Sequence, residues 1–520
     1  MTLVLLILIP ALGGVLAWAS GRLGDAAPRR IALASMALSL ALSVWIWFEH
    51  AAALSMGGAS TALHSSWALE VRASWIPALG ASFHLGLDGL SLVLVVLTNL
   101  LGFFAVLCGW REVEHDAGLF HFNLLWNLAG VVGVFLAIDL LLFFFFWEVM
   151  LVPMYFLIAL WGRDIAGGRT RNYAAVKFFI FTQASGLLLL VSILALAVVH
   201  FRATRVVSFD YADLLATPMS ASVEGWLALG FFLAFAIKLP IVPLHTWLPD
   251  AHSNAPTSGS VDLAGLLLKS AAYGLLRFAL PFFPHASAEI APVAMWLGVA
   301  VIVYGALVAF AQTDLKRLVA YTGVSHLGFV VVGIYAGTEQ ALLGVVVQMV
   351  AHGISAGALF MLCGEVQARF GTRDLRELGG MWSRLPNLPP MVLFFALASL
   401  GLPGLGNFVG EFLILSGTFT VAPAVAIVAA SGLVLAVAYA LVIVQRALHG
   451  PAAGAVRNVG ATVTDLTRGE LAMMVSLVVL LIELGLYPQP VLDAAKTPIA
   501  AVHAAYRSAS IGAREHEVLP

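Results

Sequence analysis

The stretch LLFFFFWEVMLVPMYF, residues 141–156, places fifteen uncharged residues around a single carboxylate, Glu148. A run this apolar is typical of a helix in a lipid bilayer, whose core takes about 20 apolar residues per span. The whole chain has the same character, since 61% of its 520 residues are hydrophobic and 10% are charged. That is more apolar surface than a soluble core can hide, so the sequence predicts an integral membrane protein. The formal net charge of -2 gives no reason to expect a nucleic-acid partner.

Apolar segments recur along the chain, and we count fourteen of them, separated by short polar or Gly/Pro stretches. They centre near Leu8, Leu40, Val96, Gly130, Met150, Leu190, Leu239, Leu268, Ala300, Phe329, Val350, Ala398, Leu433 and Val478. Backbone polar groups in lipid must pair within their own segment, so each segment is expected to be a helix. The predicted fold is an all-α integral membrane bundle of about fourteen transmembrane helices.

Basic residues in the loops predict the orientation of these helices. Loops after odd-numbered segments hold most of them: Arg22, Arg29, Arg30, Arg163, Arg169, Arg171, Lys316, Arg317, Arg369, Arg373, Arg376, Arg384, Arg446, Arg457 and Arg468. Loops after even-numbered segments hold few, such as Arg72, Arg202 and Arg205. By the positive-inside rule, both termini are expected to face away from the cytoplasm.

Two segments carry proline breaks, in FAIKLPIVPLHTWLP (235–249) and ASLGLPGLGNFVGEF (398–412). The prolines are Pro240, Pro243 and Pro249 in the first and Pro403 in the second. Proline removes an amide donor and clashes with the preceding turn, so both helices are expected to break inside the membrane. Breaks at matching positions point to internal repeats with the functional site at the breaks.

The expected repeats divide the chain into regions. They are segments 4–8, residues 118–280, and segments 9–13, residues 290–447. Five helices is an odd number, so the second repeat would insert upside down relative to the first, which is an inverted-repeat transporter plan. Residues 1–110 would form a three-helix N-terminal region, and residues 470–520 the last segment and a C-terminal tail.

Seven ionisable residues fall inside the apolar segments. They are Glu148, Lys238, His245, Lys269, His326, His352 and Glu411. A charge at a helix centre costs about 2.5 to 3.5 kcal/mol on insertion scales, so each needs a reason. A buried ion pair that locks two helices would account for Glu148 alone, and a histidine alone could be a core residue. The whole set favours a proton path, because structural pairs need neither histidines nor a second lysine.

The expected path begins at Glu148 and Lys238. A lysine in lipid stays protonated when a carboxylate lies within about 4 to 6 Å, so moving or neutralising Glu148 would make Lys238 release its proton. Histidines suit the relay positions. GLGNFVG (404–410) has the wrong spacing for a dinucleotide loop, and the sequence has no phosphate loop and no HExxH. We therefore expect no nucleotide, flavin, iron–sulfur or metal site in this chain.

Four motifs carry a resemblance to a known family. They are FFFFWEVMLVPMYFLI (143–158), FAIKLPIVPLHTWLPDAHSNAPTSGSVDLAGLLLKSAAYGLLR (235–277), DLKRLVAYTGVSHLGFV (314–330) and GLPGLGNFVGEFLIL (401–415). With them the chain closely resembles the antiporter-like membrane subunits of NADH:quinone oxidoreductase, respiratory complex I, from about Trp75 to Gly450. WIPALGASFHLGLDGLSL (75–92) and a glutamate in the twelfth segment favour the M-type branch, which is subunit 4 in mitochondria.

The resemblance implies a role for each buried charge. Glu148 and Lys238 would be the coupled ion pair of a first half-channel, and Lys269 the central lysine that passes the proton across. His326 and His352 would lie on a central polar axis, and Glu411 would be the exit-side group. His245 matches the loop of the broken helix, as do Trp247 and Pro249.

The resemblance also implies partners and a location. NADH, flavin and iron–sulfur clusters would be held by partner subunits and quinone by a distant subunit, while other membrane subunits, including paralogous antiporter-like ones, would adjoin this chain in a bacterial inner membrane. A subunit of a multisubunit Na⁺/H⁺ antiporter or of a membrane-bound hydrogenase is the alternative within the superfamily. An independent solute transporter and a structural scaffold are alternatives of other classes.

Overall fold

The computed structural model describes residues 1–55, 67–165, 168–458 and 463–517. Parts of three predicted regions lie outside the described residues: 56–66 of the N-terminal region, 166–167 of the first repeat and 518–520 of the tail. The first half contains α1 Thr2–Ser20, α2 Ala26–Ser55, β1 Leu69–Ile76, β2 Ala81–Leu87, α3 Gly89–Cys108, α4 Ala117–Leu136, α5 Leu140–Val149, α6 Leu151–Trp161, α7 Arg171–Thr204, α8 Tyr211–Leu215, α9 Ala221–Lys238, α10 Trp247–Asn254 and α11 Thr257–Phe282.

The second half continues as a run of helices. They are α12 Pro284–Phe310, α13 Leu315–Ala336, α14 Glu339–Phe370, α15 Leu388–Ser399, α16 Gly406–Phe419, α17 Pro423–Leu448, α18 Gly454–Asn458, α19 Arg468–Leu486 and α20 Gln489–Glu517. Within the described ranges, thirteen helical stretches are long and apolar enough to cross a membrane, with α5 and α6 joined as one. The remaining predicted segment, the twelfth, corresponds to α15 and α16, each of which is too short to be counted on its own. The all-α membrane fold is confirmed.

Both proline breaks lie where the sequence predicts them. Helix α9 ends at Lys238, and α10 begins at Trp247 after a stretch that contains Pro240 and Pro243, while Pro249 fits into the first turn of α10. The indole Nε1 of Trp247 donates a hydrogen bond of 2.9 Å to the backbone oxygen of Ile237, so the interrupted ladder regains a donor.

The second break separates α15 from α16. It contains Pro403 between two glycines in the left-handed region, Gly401 with φ 77° and Gly404 with φ 93°. A residue with a Cβ is strained at such angles, so glycine allows the chain to turn here. At this break the hydroxyl of Ser399, the last residue of α15, lies 3.2 Å from Nε2 of His326 in α13.

Three helices form the centre of the bundle. In α11, α13 and α14 every residue of the most apolar stretch is buried inside the protein, whereas α1, α2, α17 and α19 bury fewer than half of theirs. Since only buried helices can keep charges away from lipid, this arrangement explains where the predicted ionisable residues lie. Lys269, His326 and His352 belong to these three central helices.

A two-stranded hairpin, β1 paired antiparallel with β2, departs from the all-helical prediction. Asp139, at the start of α5, accepts hydrogen bonds from the backbone and hydroxyl of Ser82. His84 binds Asp210 through Nδ1 and Glu70 through Nε2, both at 2.6 Å. Burial disfavours the charged ring, but these two carboxylates outweigh it and raise the pKa of His84 above its ordinary value of 6.5. The hairpin thereby ties the α4–α5 connection to the start of α8.

The predicted C-terminal tail is also regular structure, because Gln489–Glu517 is one long helix. It buries a row of small and apolar residues that includes Ala495 and Ile499. The hydroxyl of Tyr506 donates to the backbone oxygen of Tyr335 at 3.1 Å, which fixes α20 against the end of α13.

Candidate functional site

Four of the seven predicted ionisable residues meet in the centre of the bundle, with 1% to 3% of each exposed. Lys269 Nζ lies 2.8 Å from His352 Nδ1, and His326 Nδ1 lies 2.8 Å from Glu411 Oε1. The two histidine rings are 5.6 Å apart between centroids. We call Lys269, His352, His326 and Glu411 the central row. It joins α11, α14, α13 and α16 in that order.

Helix α11 has a local feature that places Lys269. Residues Leu263–Leu267 and Leu275–Ala279 are wound as π-helix, on either side of the lysine. Such wide turns release backbone carbonyls from their usual partners and occur often at functional sites. The carbonyl of Ala264 accepts a hydrogen bond from Lys269 Nζ. Among the described residues, Lys269 forms no ion pair, so its partners are a carbonyl oxygen and an imidazole nitrogen.

Glu411 occupies the other end of the central row. Its Oε1 accepts from His326 and from the amide of Gln348 at 3.0 Å. Its Oε2 is buried and has no hydrogen-bond partner among the described residues. A Cβ built on Gly401 would lie 2.7 Å from this oxygen, so Oε2 faces the second helix break.

Uncharged polar residues complete the surroundings of His326. Its Nε2 lies 2.9 Å from the hydroxyl of Tyr439 and 3.2 Å from that of Ser399. Ser399 is the last residue of α15, so the histidine connects Glu411 with the broken helix. Sequence reasoning missed Ser399, Tyr439 and Gln348, because it followed charge and histidine content; their polar groups within long apolar segments were the available signal.

Glu148 and Lys238 form a second cluster at the first break. Lys238 Nζ lies 3.7 Å from the centroid of the Trp147 ring and 3.6 Å from Met150 Sδ. An ammonium over an indole face is a cation–π contact, which stabilises the charge without a carboxylate. Within the part of the chain that the structure describes, Glu148 and Lys238 make no direct ion pair. The charged atoms of Glu148 and Lys238 are therefore not in direct contact, while the carboxylate is near enough to act on the lysine electrostatically.

The carboxylate of Glu148 packs on α7 instead. A Cβ built on Gly186 would lie 1.8 Å from Glu148 Oε1, so only a glycine leaves room for the carboxylate there. That oxygen is buried and has no hydrogen-bond partner among the described residues. The charge of Glu148 acts on Lys238 through space.

His245 lies inside the first break, as predicted. Both ring nitrogens are buried without a hydrogen-bond partner among the described residues, and the ring packs edge-on against Tyr304 at 5.0 Å. No hydrogen bond in the described ranges joins His245 or Lys238 to the central row. The seven predicted residues therefore lie in two separate groups. Glu148, Lys238 and His245 are at the first break, and the other four form the central row.

Several other buried basic residues were not predicted as site residues, among them Lys316 and His252. Lys316, which the sequence analysis counted as a loop residue, is buried in the first turn of α13 and donates to the backbone oxygen of Ala255 at 2.6 Å. His252 stacks on Phe360 with ring centroids 4.5 Å apart. Both lie where α10 and α11 meet. Among the described residues, no group of three or more His, Cys, Asp or Glu side chains could hold a metal ion.

Comparison with known proteins gives consistent matches. Residues 137–436 match the family described as NADH:quinone oxidoreductase/Mrp antiporter, TM. NADH-quinone oxidoreductase subunit M of Pseudomonas aeruginosa is 60% identical over 491 residues, covering 94% of each chain. The subunit of that name from Escherichia coli K12 is 57% identical, covering 95% of this chain and 96% of the relative. A chain of respiratory complex I from Thermus thermophilus with bound NADH superposes with a TM-score of 0.83 at 30% identity, covering 96% of this chain and all of that one.

Proposed function

The chain belongs to the NADH:quinone oxidoreductase/Mrp antiporter family of transmembrane proteins, and from this membership we propose that it is the proton-translocating M subunit of an NADH:quinone oxidoreductase. The name of its similar relatives supports this assignment. As one subunit of that enzyme it contributes proton movement, and we place NADH, flavin, iron–sulfur clusters and quinone in partner subunits. The other membrane subunits of the complex are its neighbours in the bilayer.

The observation that carries the proposal is the central row. Each member can both bind and release a proton, and each is shielded from lipid by the three most buried helices. A proton on Lys269 can pass to His352 along their 2.8 Å contact, and one on His326 can pass to Glu411 along theirs. The step between the two imidazoles requires a ring rotation or one bridging water. Glu411 then releases the proton at the second break.

We propose that the first cluster loads this row. Glu148 and Lys238 would exchange a proton when the carboxylate moves relative to Trp147, and His245 would carry it through the first break. Water is the expected carrier from there to Lys269, because the break contains backbone groups outside a helical ladder. The two clusters sit at the two breaks, which supports assigning residues 118–280 and 290–447 as inverted repeats.

Replacement of Glu411 tests the proposed function. Glu411→Gln keeps the volume of the side chain and a hydrogen-bonding oxygen but cannot accept a proton, so proton uptake by liposomes that contain the complex is expected to fall by about tenfold or more. Glu411→Lys should retain part of the uptake, because an ammonium can also carry the proton and the buried oxygen of Gln348, which has no partner among the described residues, can accept from it.

A matched control is Glu289→Gln, which changes an exposed glutamate in α12. It should leave proton uptake unchanged. Normal uptake by the Glu411→Gln complex would show that Glu411 is a structural residue and that the central row does not conduct.

Purification distinguishes this assignment from its alternatives. The complex should co-purify with flavin and iron–sulfur subunits. Purification with other membrane subunits alone would indicate a multisubunit antiporter of the same family. Isolation of the chain by itself would indicate a solute transporter or a scaffold.

We further propose that both termini lie on the periplasmic side, since the loop arginines concentrate on the opposite side. A reporter that is active only in the periplasm, fused after Pro520, should give a signal in cells with a functional complex. A cytoplasmic reporter at the same place should be silent. With the N-terminus in the periplasm, the reverse result would mean that the number of membrane crossings is odd.

A further inference from the structure

Asp262 is a buried carboxyl group for which the proposed proton path has no use. Asp262 lies in α11 with none of its surface exposed. In the described part of the chain, its carboxyl group has one hydrogen bond, which it accepts from the side-chain amide of Asn127 in α4. Asn127 is equally buried. Among the described residues, Asp262 forms no ion pair with a lysine or arginine. A lone carboxylate in this place would be costly, so the protonation state of Asp262 follows from its hydrogen bonds.

The two side chains lack one hydrogen between them. Asn127 Nδ2 donates to Asp262 Oδ2, while Asn127 Oδ1 and Asp262 Oδ1 are both buried acceptors without a partner in the described ranges. If Asp262 carries a proton on Oδ1, that hydroxyl can donate to Asn127 Oδ1 and complete a cyclic acid–amide pair. An ionised Asp262 would leave two buried oxygens unsatisfied. The pair is therefore built to hold a proton.

A charged cavity of about 690 Å³ lies on one side of Asp262. It is formed at one edge of the bundle by the end of α3, the start of α11, the end of α14 and the start of α19, and its lining includes Cys108, Glu112, Thr257, Glu365, Arg369 and Glu470. Thr257 lies five residues before Asp262, which is about 7 to 8 Å along a helix. In the proposed orientation this edge of the bundle is cytoplasmic.

Lys269 lies on the other side of Asp262. Its ammonium donates to the backbone oxygen of Ala264, which is only two residues beyond Asp262 in the chain. The π-helical turn that frees this carbonyl therefore brings the lysine head back toward the level of the carboxyl. Along α11, Asp262 thus lies between Thr257, which lines the charged cavity, and Lys269, the first member of the central row.

We propose that Asp262 carries protons from this cavity to Lys269 by a route that does not pass through Glu148 and Lys238, and that each turnover of the central row requires a proton from both routes. The proposal rests on the proton-translocating function proposed above. In the transfer, the O–H bond of the Asp262 carboxyl breaks and an N–H bond forms on the neutral amine of Lys269, which leaves a carboxylate and an ammonium. Water in the cavity, supplied with protons by the adjoining solvent, then protonates Asp262 again. No electrons move.

The test compares variants of the intact complex in liposomes, with proton uptake measured per NADH oxidised. Asp262→Asn retains an amide pair with Asn127 but carries no acidic proton, and it should lower proton uptake by about tenfold or more. Asp262→Glu should retain a large part of the uptake. The exchange variant, Asp262→Asn with Asn127→Asp, places the carboxyl on the facing helix and should recover part of what the single variant loses.

A second readout follows the acidic proton itself. The infrared carbonyl band of a buried protonated carboxyl should be present in the unaltered complex, absent in Asp262→Asn and present again in the exchange variant. Assembly on native gels accompanies each measurement. If the Asp262→Asn complex does not assemble, the exchange variant provides the test of the proposed role of Asp262, because it retains one carboxyl and one amide.

The outcomes separate this proposal from the one on which it rests. Normal uptake by Asp262→Asn, or an assembled exchange variant with no uptake and no carboxyl band, would overturn the role of Asp262. If Lys269→Met stops proton uptake while Asp262→Asn does not, the central row conducts and only Asp262 is wrongly assigned. If neither variant changes uptake, the proposed function itself is wrong.

Discussion

A complex that carries Glu148→Gln is expected to assemble normally and to translocate protons about tenfold more slowly, or not at all. Lys238 lies on the Trp147 ring without a direct carboxylate partner in the described part of the chain, so the charge of Glu148 acts on it from a distance. Without that charge, the contacts of a protonated Lys238 with described residues in this low dielectric are the indole face and a thioether. Its favoured response is to remain neutral, which stops the cycle and leaves the helices packed.

The position of the Glu148 carboxylate can be tested by measuring proton uptake by liposomes that contain the complex. Glu148→Asp keeps the charge but shortens the side chain by one methylene, so it should retain part of the activity. Gly186→Ala should displace the carboxylate, because the new Cβ would lie 1.8 Å from its oxygen. Gly225→Ala on α9 is the matched control, since no atom lies within 4 Å of that Cβ.

Two results would contradict this interpretation of Glu148. Normal proton translocation by Glu148→Gln, measured as proton uptake by liposomes, would exclude a coupling of this carboxylate to Lys238. Failure of the complex to assemble on native gels would mean that Glu148 stabilises the contact between α5 and α7, which is the structural alternative.

The helix breaks and the membrane fold could be predicted from the sequence because both depend on local chemistry. A proline in a membrane helix removes its own hydrogen bond whatever surrounds it, so Pro240 and Pro403 indicate a break without knowledge of the tertiary structure. The hairpin and α20 depend on contacts with distant residues, such as Asp139 for β2 and Tyr335 for α20. They are also too polar for a search based on apolar segments.

The ionisable residues of the site could be predicted for a similar reason, whereas their partners could not. The cost of a charge in lipid makes Lys269 and Glu411 conspicuous in any apolar segment. Which side chains meet depends on how the helices pack, as in the contact of His326 with Glu411, 85 residues apart in the chain. A carboxylate within about 4 to 6 Å of Lys238 could be predicted from the sequence, whereas the Trp147 ring that covers the lysine became visible only in the structure.

Lys269 should give the largest effect of any single residue, because the central row begins with it. Lys269→Met has a similar length and no proton to transfer, so it is expected to abolish proton uptake and the quinone reduction coupled to it. Assembly should be near normal, since an apolar side chain of similar volume can replace a buried charge at little cost. Uptake by liposomes and native gels measure the two properties.

Lys269→Arg distinguishes a relay from a fixed charge. The guanidinium can donate to the backbone oxygen of Ala264 and to His352, as the ammonium does, but it does not lose its proton in a protein. A relay therefore predicts that the Arg variant assembles and is as inactive as the Met variant. A merely structural cation predicts near-normal uptake by the Arg variant and loss in the Met variant. Lys496→Arg, at an exposed lysine of α20, is the control for the substitution itself and should leave uptake unchanged.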